Sequence, residues 1–163
     1  MKQPSTLVIV PCGYSKIWDK KPDAGSIVVK DAYVGSPFKV NRKYAESVGS
    51  QWVILSAKYG FIWPNFVLPG AYEVTFKRKS SEPVRFDVLK RQVTAMSLDQ
   101  FAIAICLGGK EYRFAISAAF AGRDIEIQFP FAGLPIGKAM QATKQAIEKP
   151  CDSKQTVKEN IGD

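Results

Sequence analysis

Four short apolar runs, spaced along the chain and separated by longer amphipathic segments, most strongly restrict what this sequence can fold into. The runs cover residues 7–11, 52–56, 101–107 and 125–129 and are rich in β-branched or aromatic residues. Runs that are apolar on both faces are typical of buried parallel strands. Strands that alternate with helices favour a doubly wound sheet. The sequence therefore predicts a single three-layer α/β domain with a mostly parallel four-stranded sheet.

The segments that follow the apolar runs have apolar residues at helical spacing. Helices are predicted at residues 37–48, 82–98, 111–121 and 134–149. In the second of these, Phe86, Leu89 and Val93 form a stripe that is expected to face the core. The domain is expected to span residues 1–149, and the polar residues 150–163 are predicted to form a disordered tail.

The absence of histidine excludes several kinds of chemistry. The chain has no histidine and only three cysteines, Cys12, Cys106 and Cys151, which are far apart in the sequence. This composition argues against a zinc site, a disulfide framework and any histidine-dependent triad, so no metal or cofactor is expected. No apolar stretch is long enough to span a membrane, and a cytoplasmic protein is expected.

Basic residues are concentrated in the first half of the chain. The formal net charge is +8, and residues 1–80 alone carry 12 basic and 5 acidic side chains. A one-sided excess of positive charge favours contact with a polyanion. A nucleic acid, and DNA in particular, is the predicted partner.

The segments that follow the predicted strands contain the residues suited to chemistry, because ligands of open α/β sheets bind at the carboxyl ends of the strands. The first strand is followed by Cys12, Gly13, Ser15 and Lys16, where a flexible turn, polar donors and a cation come together. Further along the same connection lie Asp19, Asp31 and Tyr33, the last two just ahead of a predicted helix. A carboxylate there could orient water or stabilise a developing cation.

The segment after the second strand combines aromatic rings with cations. Ser56 and Lys58 precede Tyr59, and Tyr72 is followed by the basic run Lys77, Arg78 and Lys79. Aromatic rings offer stacking faces to bases, and lysines and arginines bind phosphates. After the third strand, Gly108, Gly109, Lys110 and Tyr112 open a helix where backbone amides can approach a phosphate.

Taken in order, these segments resemble a known family. The series PCGYSK, DAYVGSPF, LSAKYGFIWP, AYEVTF, LGGKEYR and PFAGLPIGKAM, within residues 7–147, is similar to a bacterial and phage family described mainly as a domain of unknown function. Tyr59, Gly60, Pro64 and Tyr72 resemble a segment of the YaaA peroxide-stress family, which is associated with DNA binding. Pro11, Cys12 and Lys16 resemble a segment of the archaeosine synthase core domain.

These resemblances imply a uracil-DNA glycosylase-like fold that handles nucleobases. The chain lacks the histidines and the Gln-Asp-Pro-Tyr motif of uracil glycosylases, so their mechanism does not transfer residue by residue. Our first hypothesis is a DNA glycosylase-like hydrolase that excises a modified or damaged base, as in DNA repair, after flipping it from the stack. The alternatives are a non-catalytic DNA-binding stress protein and an enzyme that modifies a free or tRNA (deaza)guanine-type base.

The glycosylase hypothesis assigns a role to each candidate residue. Asp31, then Asp19, would stabilise the positive charge that builds on the sugar, and Lys16 would meet the departing base. The remaining candidates fall into two groups. The predicted base-binding residues are Cys12, Gly13, Tyr33, Ser56, Tyr59 and Tyr72. The predicted phosphate-binding residues are Ser15, Lys58, Lys77, Arg78, Lys79, Gly108, Gly109, Lys110 and Tyr112.

Overall fold

The central sheet has five strands, one more than the sequence predicts. The computed structural model describes residues 5–148. In chain order its strands are β1 (Thr6–Pro11), β2 (Ile27–Val28), β3 (Gln51–Ser56), β4 (Gly60–Ile62), β5 (Val67–Leu68), β6 (Ile103–Cys106) and β7 (Glu126–Gln128). The central sheet has the order β4–β3–β1–β6–β7. Its four parallel strands, β3, β1, β6 and β7, confirm the four predicted runs.

The fifth strand corrects the prediction of a four-stranded sheet. After β3 the chain reverses in a tight turn, and β4 pairs antiparallel with β3 at the edge of the sheet. The opposite edge strand, β7, also departs from expectation, because Glu126 and Gln128 are exposed. An edge strand has one neighbour, so its residues need not be apolar on both faces.

The predicted helices are all present, with ends shifted by at most a few residues. The helices are α1 (Val29–Ala32), α2 (Ser36–Val48), α3 (Phe86–Ala95), α4 (Lys110–Ala119) and α5 (Ile136–Glu148). The short α1 is additional to the four that were predicted. The predicted tail, residues 150–163, lies outside the described residues. Among residues 5–148, no helix is long and apolar enough to cross a membrane.

Helices cover both faces of the sheet and create two cores. Leu7 and Ile9 of β1 point into the core beneath α3 and α4. Val8 and Val10 point the other way, into the core beneath α2, against which α5 packs. Successive side chains of a strand point to opposite faces, so one apolar strand supplies both cores. This arrangement confirms a three-layer α/β architecture.

The topology places a crevice at the carboxyl ends of β1 and β6. From β1 the chain crosses to β3 by α2, and from β6 it crosses to β7 by α4, which lies on the opposite face. The connections therefore diverge between β1 and β6, which is where ligands bind in open α/β sheets. The long connections after β1 and β3 also pair with each other, because β2 and β5 form a small antiparallel sheet.

Candidate functional site

Five polar side chains from three connections meet at the carboxyl ends of β1, β3 and β6. We call them the strand-end cluster: Cys12, Tyr33, Ser56, Tyr72 and Tyr112. The Tyr33 and Tyr72 hydroxyls share a short hydrogen bond, and Tyr72 lies 3.1 Å from the Ser56 hydroxyl. Ser56 is fully buried, and Tyr33 and Tyr72 are 2% and 7% exposed. These groups were separate candidates in the sequence, and the fold brings them together.

Ser56 fixes the direction of the hydrogen bonds in the cluster. Its oxygen accepts the backbone N–H groups of Lys58 and Tyr59, each at 3.2 Å. Since a hydroxyl oxygen has two acceptor positions, the Ser56 proton is directed to the Tyr72 oxygen. The hydrogen bond between Tyr33 and Tyr72 uses the hydroxyl proton of one of these two tyrosines. The hydroxyl proton of the other tyrosine therefore has no acceptor among the hydroxyls of Tyr33, Ser56 and Tyr72. This trio of hydroxyls thus has one donor left for another group.

The opposite wall of the cluster is formed by Cys12 and Tyr112. The Cys12 sulfur lies 3.2 Å from the Tyr112 hydroxyl. Cys12 follows β1 and Tyr112 lies in the first turns of α4, so this contact spans the crevice between β1 and β6. Cys12 is half-buried, which makes this wall more accessible than the trio of hydroxyls.

Burial keeps the tyrosines of the cluster in their neutral, proton-donating form. Desolvation, followed by repulsion from a Cys12 thiolate, raises the pKa of both Tyr33 and Tyr72 far above the usual 10.0. The same two causes raise the pKa of Tyr112. Removing a tyrosine proton here would create a charge in a low-dielectric site, which is costly. The hydroxyls can therefore donate hydrogen bonds over the whole physiological pH range.

Two lysines lie above the buried tyrosines. The Lys16 ammonium is 4.6 Å from the centre of the Tyr72 ring, and the Lys58 ammonium is 5.6 Å from it. Within residues 5–148, neither lysine takes part in an ion pair. The site therefore combines two cations with buried hydroxyl donors. Such a set favours a ligand with carbonyl oxygens, a phosphate or a developing negative charge.

The turn that positions Lys58 and Tyr59 is held by Gln92 of α3. The Gln92 amide accepts the Phe61 N–H at 2.9 Å and donates to the Tyr59 carbonyl at 3.0 Å. Gly60 has a φ of +76°, and a Cβ there would lie 2.2 Å from the Gln92 oxygen. Only glycine combines this backbone conformation with such a close approach. Tyr59 in turn packs edge-on against Tyr72, with ring centres 5.7 Å apart.

The segment after β1 pairs with the segment that carries Tyr33. Lys16 and Tyr33 form an isolated antiparallel bridge, and the Ser15 carbonyl accepts the Val34 N–H at 3.0 Å. Gly13 passes beneath Tyr33, where an added Cβ would lie 3.0 Å from the Tyr33 Cβ. Of the predicted base-binding residues, Gly13 thus contributes space rather than a polar group. Ser15 itself is exposed.

The two candidate carboxylates make local contacts. Asp31 lies on α1, and its carboxylate forms an ion pair with Arg42 at 3.1 Å. Asp19 accepts the backbone N–H of Lys16 at 2.8 Å at the start of a short 3-10 helix. Both carboxylates are therefore bonded to groups outside the strand-end cluster, and Asp19 helps to hold the segment that carries Lys16.

One of the predicted phosphate-binding residues, Lys79, lines a groove that the sequence did not reveal. We call it the aromatic groove; it has a volume of about 500 Å³ and lies between α3, α4 and the segment that follows the basic run. Its lining includes Lys79, Arg85, Phe86 and Phe114. Gly109 precedes the first residue of α4, and the Lys110 ammonium lies 5.7 Å from the Phe114 ring centre. The helical stripe predicted Phe86 as core, but it is 44% exposed.

Comparisons with known proteins identify relatives over most of the chain. A model described as a family of unknown function (DUF6884) matches residues 7–145. The uncharacterized protein YfjM of Bacillus subtilis (strain 168) is 38% identical over 144 residues, which cover 88% of this chain and 95% of that protein. No solved structure matches the chain. The sequence-based assignment to a bacterial family of unknown function is thereby confirmed.

Proposed function

We propose that this chain, which belongs to the DUF6884 family of unknown function, binds a nucleobase at the strand-end cluster and cleaves its N-glycosidic bond. The observation that supports this most strongly is the excess of hydrogen-bond donors and cations at the cluster. Lys16 and Lys58 lie over the ring of the buried Tyr72, and neither forms an ion pair within the described residues. A departing base gains electrons, and donors placed where that charge develops accelerate its release.

The reaction is a hydrolysis in which every group has a defined fate. The bond between the sugar C1′ and the base nitrogen breaks, and its electron pair goes to the base. Water adds its oxygen to C1′ and loses a proton, while the base nitrogen gains one. Lys16, Lys58 and the tyrosine hydroxyl would stabilise the base, whereas Asp31 or Asp19 would act on the sugar and the water.

The geometry supports the role of the lysines more than that of the carboxylates. Asp31 is paired with Arg42, and Asp19 is bonded to the Lys16 backbone. The support for the proposal therefore comes from the lysines that could stabilise the leaving base. A catalytic role of either carboxylate is a separate hypothesis, which substitution tests. A uracil-DNA glycosylase-like fold and kinship with YaaA and archaeosine synthase are also part of the proposal. Cys12 and Lys16 resemble residues of the archaeosine synthase segment, and Tyr72 resembles a residue of the YaaA segment. The three residues lie at one site, and this supports the proposed kinship.

The test is single-turnover incubation of the protein with oligonucleotides that carry a panel of modified bases, followed by alkali to cut abasic sites. The expected result is strand breakage at one class of base, reduced at least 100-fold by Lys16→Ala because a donor to the transition state is lost. Lys39→Ala, an exposed lysine of α2, is the matched control. Absence of breakage on every substrate would contradict the proposal.

A second candidate function is a DNA-binding stress protein without catalytic activity. The contact of Asp31 with Arg42 and that of Asp19 with the Lys16 N–H favour it, because each carboxylate already has a local structural partner. Such a protein would bind every oligonucleotide of the panel without breakage, and its affinity would fall steeply with salt. An enzyme acting on a free or tRNA (deaza)guanine-type base would instead bind its small ligand with little salt dependence.

A further inference from the structure

We infer that the aromatic groove is a binding site for single-stranded nucleic acid, in which Phe86 and Phe114 stack with unpaired bases. This inference rests on the proposed function, because it describes how the strand next to the reacting nucleotide is held. The groove lies on the side of the sheet that carries α3 and α4, and neither phenylalanine was a candidate in the sequence.

The first observation is the exposure of the two rings. Phe114 is 59% exposed and Phe86 is 44% exposed, and both line the same groove together with Phe76. Large exposed apolar side chains that converge on one groove mark an interaction site more often than isolated ones do. Each side chain leaves a large part of its surface exposed, which a base can cover by stacking.

The second observation is the charge that surrounds the rings. Lys79 and Arg85 line the groove, and the Lys110 ammonium lies 5.7 Å from the Phe114 ring centre. Asp87 is also in the lining, but it is bonded to Arg85 at 3.0 Å and to Arg91 at 3.6 Å. Glu111 is the other acidic residue of the lining. The lining itself therefore carries two cations and two anions, and the positive excess comes from Lys110 and from Lys77 and Arg78, which precede Lys79 in the chain.

Exposed aromatic rings next to cations fit a single strand better than they fit other polyanions. Stacking on aromatic side chains and phosphate contacts with lysine or arginine are the two elements of sequence-tolerant single-strand binding. A duplex keeps its base faces stacked internally, and an acidic peptide would use the cations but not the rings. The groove has a volume of about 500 Å³.

The third observation is the continuity between the groove and the strand-end cluster. Phe76 packs edge-on against Tyr112, with ring centres 5.4 Å apart. The Tyr112 hydroxyl in turn lies 3.2 Å from the Cys12 sulfur. A strand that occupies the groove would therefore place a neighbouring nucleotide at the cluster. The groove would hold the strand, and the cluster would hold the reacting base.

The experiment measures binding of a fluorescein-labelled oligothymidylate of about 12 nucleotides, a length within the usual site size of such grooves. Fluorescence anisotropy at several salt concentrations gives the Kd and its salt dependence. Phe114→Ala and Phe86→Ala are each expected to weaken binding roughly 5- to 150-fold, the loss of one stacked base. Lys79→Ala should weaken binding and also reduce the salt dependence.

The matched control is Ile136→Ala on α5, which removes an apolar side chain that is 75% exposed and belongs to the opposite face of the sheet. Since Phe86 and Phe114 are exposed, their substitution should leave the thermal unfolding temperature almost unchanged, which circular dichroism verifies. Wild-type affinity in both phenylalanine variants, or equal affinity for a duplex of the same length, would overturn the inference. So would oligothymidylate binding that does not depend on salt, because the cations of the groove would then not contact phosphates.

The design separates this inference from the proposed function. If strand breakage occurs but the phenylalanine variants bind normally, the groove assignment is wrong and the glycosylase proposal stands. If the variants lose binding but no base is ever excised, the groove assignment stands and the protein is a binder.

Discussion

The strand-end cluster and the aromatic groove differ in how far their side chains are buried and hydrogen-bonded. In the cluster, Tyr33, Ser56 and Tyr72 are buried and hydrogen-bonded to one another. In the groove, Phe86 and Phe114 are exposed. Buried, bonded hydroxyls have fixed positions and suit recognition of one chemical group, whereas exposed rings tolerate many bases. Under the proposed function, this difference assigns selectivity to the cluster and affinity for the strand to the groove.

Tyr33→Phe gives the largest expected effect and tests the cluster half of this comparison. The change removes one hydroxyl and keeps the ring, so the single-turnover excision rate should fall by roughly 100- to 1,000-fold, as for loss of one preorganised donor. Oligothymidylate binding should stay within about 2-fold of wild type, well below the loss of one stacked base. An equal loss in both assays would mean that the two regions do not have separate roles.

Gly13→Ala tests how tightly the cluster is packed. An added Cβ would lie 3.0 Å from the Tyr33 Cβ, so the Tyr33 backbone must shift. The expected cost is about 1–3 kcal/mol in the free energy of unfolding, measured by urea denaturation, because the position is overpacked. Gly137→Ala is the control, since a Cβ there would meet no atom within 4 Å. Equal stability of both variants would show that the space beneath Tyr33 is not restricted.

The pH dependence of stability tests the buried state of the tyrosines. Desolvation raises the pKa of Tyr33 and Tyr72 in the folded protein above the unfolded value of 10.0. Above pH 10 the unfolded chain therefore binds fewer protons than the folded one, so the free energy of unfolding falls as pH rises. Each tyrosine contributes up to about 1.4 kcal/mol per pH unit, and below pH 10 this contribution is fully present.

The comparison for this measurement is the Tyr33→Phe variant, which has one fewer buried phenol. Its free energy of unfolding should decline less steeply between pH 10 and higher values than that of the wild type. All other titratable groups are the same in both proteins, so the difference between the two slopes reports on Tyr33. Identical slopes would show that the Tyr33 hydroxyl is accessible to solvent.

Asp31→Asn has the smallest expected effect and tests the catalytic role predicted from the sequence. Asp31 is exposed and paired with Arg42 at 3.1 Å. Loss of an exposed ion pair should cost about 0.2–1 kcal/mol in the free energy of unfolding, and excision should change only a few-fold. A 100-fold loss of excision with unchanged oligothymidylate binding would instead establish Asp31 as a catalytic residue.

The fold was largely predictable because the spacing of apolar residues along the chain matches the geometry of its strands and helices. The strands that begin at Thr6 and Gln51 are apolar over most of their length, and their pairing follows from strand–helix alternation. Gly60–Ile62 was not recognised as a strand, because three residues after a turn are too few to show a period. The two-residue strands β2 and β5 could not be predicted for the same reason.

The site was predictable as a set of residues but not as an arrangement. Cys12, Tyr33, Ser56 and Tyr72 were identified because they follow strand ends, and they do meet. The central position of Ser56 depends on two backbone N–H groups of a turn, and residue types do not specify that geometry. Phe86 was assigned to the core because periodicity cannot tell a covered face from a groove.

The pairing of β2 with β5 means that the two site-bearing connections behave as one cooperative unit. Two further hydrogen bonds join the connections outside the β2–β5 pair. The Val29 N–H donates to the Phe66 carbonyl at 2.7 Å, and the Lys30 N–H donates to the Pro64 carbonyl at 3.2 Å. Neither connection can lift away from the sheet without breaking the bonds of the other. We therefore expect the amides of Val29 and Lys30 to exchange with deuterium at similar rates, through a shared local unfolding step. Access to the buried tyrosines would then be governed by one opening equilibrium rather than by two independently fluctuating loops.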